Sequence, residues 1–124
     1  MFFFIFSLIL AGSLAFSAGE QLTDNEIRLV LISAGWASEG PEVLEEAFRV
    51  SLCESSHIWD AVGEAGELGL FQLSWYRTDT WHGFKFSAPR YLYYKDVRQP
   101  VANAMAALYV YRLSNSWEAW TCQP

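Results

Sequence analysis

At 124 residues the chain has room for a single domain. A net charge of −6 is too acidic for a general nucleic-acid binder. Two cysteines cannot make a tetrahedral zinc site, and His57 and His82 are not at metal-ligand spacing, so neither a metal nor another cofactor is expected. The charge is unevenly spread. From Glu20 to Glu67 eleven acids face only Arg28 and Arg49, whereas from Leu68 onward six bases outnumber Asp79, Asp96 and Glu118. A basic second half suits an anionic polymer.

Met1 to Ala18 carries no charged side chain and is mostly Phe, Ile, Leu and Ala. That length suits a signal-peptide core and is short for a membrane span. Ala15, Ser17 and Ala18 close it with small residues, which places a cut after Ser17 or Ala18, although the usual basic start is missing. Cleavage leaves residues 19–124 as one exported domain with no further membrane contact; an uncleaved anchor is the alternative. In an exported protein the pair Cys53 and Cys122 points to a disulfide, closing a loop of about 70 residues and contributing roughly 4 kcal/mol. Two buried free thiols are the other reading.

Thr23-Asp24-Asn25-Glu26 fits a capping box. Ile27, Val30, Leu31 and Ala34 then share one helical face, and Gly35 suits the stop. A second helix opens at Pro41, which is tolerated in a first turn. Val43, Leu44, Ala47, Phe48 and Leu52 give it an apolar face, and its carboxyl end delivers Cys53 and Glu54. Residues 55–95 have weak periodicity and many glycines and aromatics, as in loops, short turns and a small hairpin. A last helix spans about Gln99 to Leu113, with Ala102, Ala106, Tyr109 and Leu113 along one face. Trp117, Trp120 and Cys122 seal the end. The sum is a small, mainly α domain.

Glu54 alone is an ordinary acid near a helix end. Following Leu52 and Cys53 on a segment that turns inward if a disulfide forms, it meets apolar surroundings that raise its proton affinity. Around it a pattern emerges: Cys53-Glu54-Ser55-Ser56, then Ala61-Val62-Gly63 starting seven residues after the Glu, then Gly69-Leu70-Phe71-Gln72 starting fifteen after it. Three blocks in register resemble the lytic transglycosylase branch of the lysozyme-like superfamily. The resemblance continues through Asn103, the helix bearing Tyr109 and Tyr111, and the closing Trp117, Trp120 and Cys122, as in small secreted members where that last Cys pairs with one beside the catalytic Glu. It covers about Phe48 to Cys122. The segment Leu73–Lys95 matches only loosely, and Phe71 stands where Met is usual.

The resemblance implies a lysozyme-like α+β fold with helices around a glycan cleft. It implies Glu54 as catalytic acid, with Gln72 bonding an N-acetyl group and Gly69 letting the backbone approach substrate. It further implies Tyr111 (or Tyr109, a register away) positioning Glu54. Ser55 either steadies the turn or touches the sugar. Trp75, Trp81, Tyr91, Tyr93 and Tyr94 are candidates to stack on sugar faces, though most aromatics in so small a domain form core. Neither histidine has a nucleophile arrangement around it.

Mechanism turns on a second carboxylate. Glu67, thirteen residues after Glu54, is a possible one, near where hydrolysing goose-type relatives place an acid; a solvated loop acid is the plainer reading. Transglycosylase relatives manage with one Glu and leave an anhydro-sugar. The expectation is therefore a monomeric, secreted or periplasmic, cell-wall-associated enzyme. It would cleave the β-1,4 bond between N-acetylmuramic acid and N-acetylglucosamine in peptidoglycan. A hydrolase of the same fold is the near alternative, and a non-catalytic glycan-binding or virion-associated module the distant one.

Overall fold

The computed structural model describes residues 16–74, 80–81, 84–85 and 97–124. Within them three helices dominate: α1 (Asp24–Ser33), α2 (Pro41–Ser55) and α3 (Pro100–Ser114). A 3-10 turn at Trp36–Glu39 joins α1 to α2. Strands β1 (Thr80–Trp81) and β2 (Phe84–Lys85) pair antiparallel, Thr80 with Lys85 and Trp81 with Phe84. The fold is mainly helical, with the small hairpin expected of the glycine-rich stretch.

Helix α1 begins as its sequence dictates. The Glu26 amide donates to the Thr23 hydroxyl at 3.2 Å, and the Thr23 amide donates to the Glu26 carboxylate at 2.9 Å, so two otherwise orphaned donors are satisfied. Ile27, Val30, Leu31 and Ala34 are all buried. Pro41 opens α2, where its missing N–H costs nothing. Ala47, Phe48, Val50, Ser51 and Ser55 form the inner face of α2. Leu52, expected inside, is 46% exposed. Towards its carboxyl end α2 buries a serine stripe against His57, and that rotates Leu52 onto the flank.

The stripe expected on α3 also differs. Of Ala102, Ala106, Tyr109 and Leu113 only Ala106 is fully buried, while Leu113 is 46% exposed. Asn103, Ala104, Ala107, Leu108, Val110 and Tyr111 are buried instead. Small side chains let neighbours approach α3 from several sides, so a central helix shows no single apolar stripe. Its neighbours include α1, which packs on both α2 and α3.

The core is aromatic. Trp36, fully buried in the 3-10 turn, is stacked between Phe71 (ring centroids 5.7 Å apart) and Trp117 (5.2 Å). Its indole N–H donates to the Ala104 carbonyl at 2.9 Å, which meets the requirement that a buried indole keep an acceptor. Cys53 and Cys122 are joined by a disulfide, Cα atoms 6.0 Å apart, which rules out the free-thiol alternative. At the other end, residues 16–22 lie along residues 56–60: the Leu22 amide donates to the His57 carbonyl, and the Gly19 amide reaches both oxygens of Asp60. Residues 1–15 of the expected leader lie outside the described residues. Among those described, no helix is long and apolar enough to cross a membrane.

Candidate active site

Three pieces of chain converge at the carboxyl end of α2. The helix supplies Glu54, the loop 61–74 supplies Glu67, Gln72 and Ser74, and the tail supplies Ala119, Trp120 and Thr121. Together they line a polar cleft of about 270 Å³. A larger, shallower hollow of about 380 Å³ lies at the start of α2 over Pro41, Glu42, Glu45, Glu46 and Arg49. There Glu45 is tied to Arg28 and Glu46 to the Trp117 indole, so the acids do not converge on a ligand position. The smaller cleft gathers Glu54, Glu67 and Gln72 on one polar surface.

The loop is held by its own backbone and by α3. Ala61 O accepts the Gly69 amide at 2.8 Å, and Leu68 and Leu73 exchange amide hydrogen bonds. From α3 the fully buried Asn103 reaches in like a missing strand. Its Oδ1 accepts the Phe71 amide at 2.8 Å, and its Nδ2 donates to Leu68 O at 2.9 Å and Val97 O at 2.7 Å. Gly69 makes this possible. Its φ is +75°, and a Cβ there would collide with the Asn103 carboxamide. Asn103 thus occupies the space that a Cβ of Gly69 would need, and the bare glycine shapes the loop around it.

Gly63 has a similar role on the opposite side, where a Cβ would strike the Glu67 carboxylate and the Gln72 amide oxygen. Gln72 itself is in the left-handed region at φ +47°, a conformation that costs a non-glycine residue roughly 1–2 kcal/mol. Its Nε2 donates to Ala61 O at 3.0 Å and Gly69 O at 3.1 Å. With both amide hydrogens engaged, the oxygen is left beside Glu67. Gln72 therefore offers a ligand an acceptor, complementary to the N–H of an acetamido group.

Glu54 is half-buried at the cleft wall. Burial raises its carboxyl above the ordinary glutamate value; the Cys122 amide, donating to Oε2 at 3.2 Å, pulls the other way, and the Glu67 charge pushes up again. The net direction is upward. Such a group keeps its proton to higher pH than a solvated glutamate and can donate it within a cleft. Glu64 is exposed and lines no part of this cleft, whereas Glu67 is half-buried in it.

Two other residues singled out in the sequence lie elsewhere. Ser55 is buried, its hydroxyl donating to Ser51 O at 2.9 Å, so of its two roles it takes the turn-steadying one and faces no sugar. Tyr111 is packed on Trp36 and Trp117, and its phenol is raised by burial and then by Glu46 and Glu39. Glu46 precedes Glu54 by eight residues, about 12 Å along the axis of α2. Among the described residues no hydrogen bond joins Tyr111 to Glu54, which accepts the Cys122 amide. Tyr109 is the half-buried member of the pair. The aromatics Trp75, Tyr91, Tyr93 and Tyr94, the side chain of Trp81, and His82 lie outside the described residues.

Ser74, Ala119 and Thr121 were not foreseen as lining residues. The signal was present: a disulfide from Cys53 must bring the chain around Cys122 next to Glu54. His57 is a structural residue. Only 2% exposed, it sits edge-on to Phe48, with Nε2 3.0 Å from the Ser51 hydroxyl and 3.2 Å from Phe48 O, and burial lowers its pKa. Ser51 is fully buried, so this serine–histidine contact cannot meet a substrate. Among the described residues no three His, Cys, Asp or Glu side chains group as a metal site. Compared with protein-family models, curated proteins and solved structures, the chain matches none.

Proposed function

We propose that the chain is a peptidoglycan lytic transglycosylase of lysozyme-like fold, acting on the β-1,4 bond between N-acetylmuramic acid and N-acetylglucosamine. The observation that carries this reading is the half-buried Glu54, its carboxyl raised, sharing one polar cleft with Gln72. The three-block resemblance around Glu54 supplies the substrate class. Glu54 donates its proton to the bridging oxygen as the bond from C1 to that oxygen breaks. The substrate's acetamido oxygen stabilises the positive centre, and the Gln72 oxygen receives the acetamido N–H. The Glu54 carboxylate then takes the proton of the sugar's 6-hydroxyl, whose oxygen closes on C1. One proton is lent and returned, and no water is consumed.

Hydrolysis is the second reading, and Glu67 favours it. A second carboxylate in the same cleft could hold a water that attacks in place of the 6-hydroxyl. Digestion of purified peptidoglycan by the mature protein and by Glu54→Gln, with the soluble products weighed, separates the cases. Anhydro-muropeptides from the first protein alone support transglycosylation. Products heavier by one water move the assignment to a hydrolase. Release by neither protein sinks both and leaves a glycan-binding module, to be tested by pull-down.

A further inference from the structure

Cys122 does more than close a loop. Its backbone N–H is a hydrogen-bond donor to Glu54, and its side chain is bonded to the residue immediately before Glu54. The three residues that precede it, Ala119, Trp120 and Thr121, are one wall of the cleft. We propose that Cys122 is a positioning residue: bridged to Cys53, it holds its N–H on the Glu54 carboxylate and keeps the tail wall in place, so that the site is set only while the disulfide is oxidised. This rests on reading Glu54 as the acid.

The tail has two kinds of attachment, and they divide at Trp120. Trp117 and Trp120 are buried, and the Trp120 indole donates to Phe71 O at 3.0 Å. Beyond them Thr121, Gln123 and Pro124 are exposed. Among the described residues, Gln123 bonds back to the Trp117 and Trp120 carbonyls of the tail itself. What ties the last four residues to α2, among the described residues, is the disulfide and the hydrogen bond to Glu54. Cutting the bridge leaves Thr121 to Pro124 tied to the anchored tryptophans through Gln123 but no longer fastened to α2 by a covalent bond. The Glu54 carboxylate then loses a donor that favours its charged form.

Cys53 is exposed, so a small dithiol can reach it. One thiolate attacks the Cys53 sulfur, the sulfur–sulfur bond breaks, and Cys122 leaves as a thiolate that takes up a proton. The reagent's second thiolate displaces Cys53, which is protonated in turn. The reagent ends as a cyclic disulfide, and the protein has gained two electrons and two protons.

The test is the titration of the Glu54 carboxyl, followed by carbon NMR in oxidised protein and in protein reduced with dithiothreitol. Folded and unfolded molecules give separate resonances, so the midpoint is read on native protein even if reduction destabilises it. The proposal expects the midpoint to move up on reduction and to return on reoxidation. A second protein, with an ester in place of the Thr121–Cys122 amide, made by ligating a synthetic three-residue tail, deletes the N–H and keeps the bridge. It should reproduce the upward shift without reductant. An unmoved Glu54 midpoint in both proteins overturns the proposal. These readouts are independent of peptidoglycan: an inactive protein that still shows the shift refutes the catalytic reading and leaves only the hold of the Cys122 amide on Glu54, whereas an active protein with an unmoved midpoint overturns this proposal alone.

Discussion

Two polar clusters lie side by side at the carboxyl end of α2, and they are built on opposite principles. On the inner face, Ser51, Ser55 and His57 are 5% exposed or less, and their hydroxyls and the His57 Nε2 are paired with one another or with carbonyls. One residue away Glu54 is half open, accepts the Cys122 amide and faces a like charge. A buried polar network whose hydroxyls are paired rigidifies a fold. A cluster left with spare acceptors and an unfavourable charge has capacity for a ligand. The closed cluster holds the helix end still, and the open one is where the proposed chemistry would take place.

The sharpest way to break this comparison is Glu54→Gln. It preserves shape and the Cys122 hydrogen bond but cannot donate a proton, and it should lower peptidoglycan release by about a hundredfold to ten-thousandfold. The same change should stabilise the protein near neutral pH. A carboxyl raised in the folded state contributes stability that is present below its unfolded value and lost as pH rises through the folded one. Thermal melts of the two proteins across pH 4 to 8, a span set about the ordinary glutamate value, should diverge upward. Parallel curves would mean that Glu54 is not held in an unfavourable place.

Next in size is Asn103→Ala. It leaves the Phe71 amide and the Leu68 and Val97 carbonyls unpaired in a fully buried position, at a cost of about 3 kcal/mol or more by chemical denaturation. Gly69→Ala should injure the same place by collision and by its left-handed backbone. If either is silent, the loop does not depend on α3 for its shape.

How far these features could be read in advance follows the same division. Local chemistry was legible: the Thr23–Glu26 capping box, Pro41 opening α2 and the face of α1 are set by residues within one or two turns. The Cys53–Cys122 bridge was legible because two cysteines have one possible pairing. Tertiary substitution was not. Nothing near Gly69 says that its missing Cβ makes room for a side chain 34 positions away. Trp36, the centre of the aromatic stack, stands between two helices where no periodicity marks it. The neighbours of Tyr111 were not legible because α3 is buried on several sides, so counting along it does not tell which neighbour a side chain meets. In the cleft, Glu54 and Gln72 were named from motif spacing. The tail wall required following the disulfide across the fold.

His57 gives the third measurement, with the opposite sign to Glu54. Its pKa is lowered by burial, so its contribution to stability is present above the ordinary histidine value, near 6.5, and is lost as pH falls through the folded one. Asp24, which raises it, and Arg28, which lowers it, act more weakly than burial. His57→Gln should flatten the acid side of the stability profile and leave the Glu54 titration in place.

The smallest expected effect separates shape from recognition at Gln72. Its left-handed backbone would suit glycine, so Gln72→Gly relieves roughly 1–2 kcal/mol of strain while deleting the amide that ties the loop to Ala61 and Gly69. The two terms nearly offset, and the melting temperature should change by only a few degrees. Binding should not be spared, because the acceptor offered to the acetamido N–H is gone. KM for a soluble glycan fragment should rise by several-fold to about tenfold, as for one lost hydrogen bond of about 1 kcal/mol. Gln72→Glu supplies the control. It keeps an acceptor but adds a third carboxylate to the cleft, and should push the Glu54 titration further up. A variant that melts early with unchanged KM would make Gln72 a piece of the closed scaffold, and the boundary between the two clusters would have to be redrawn around Glu54 and Glu67 alone.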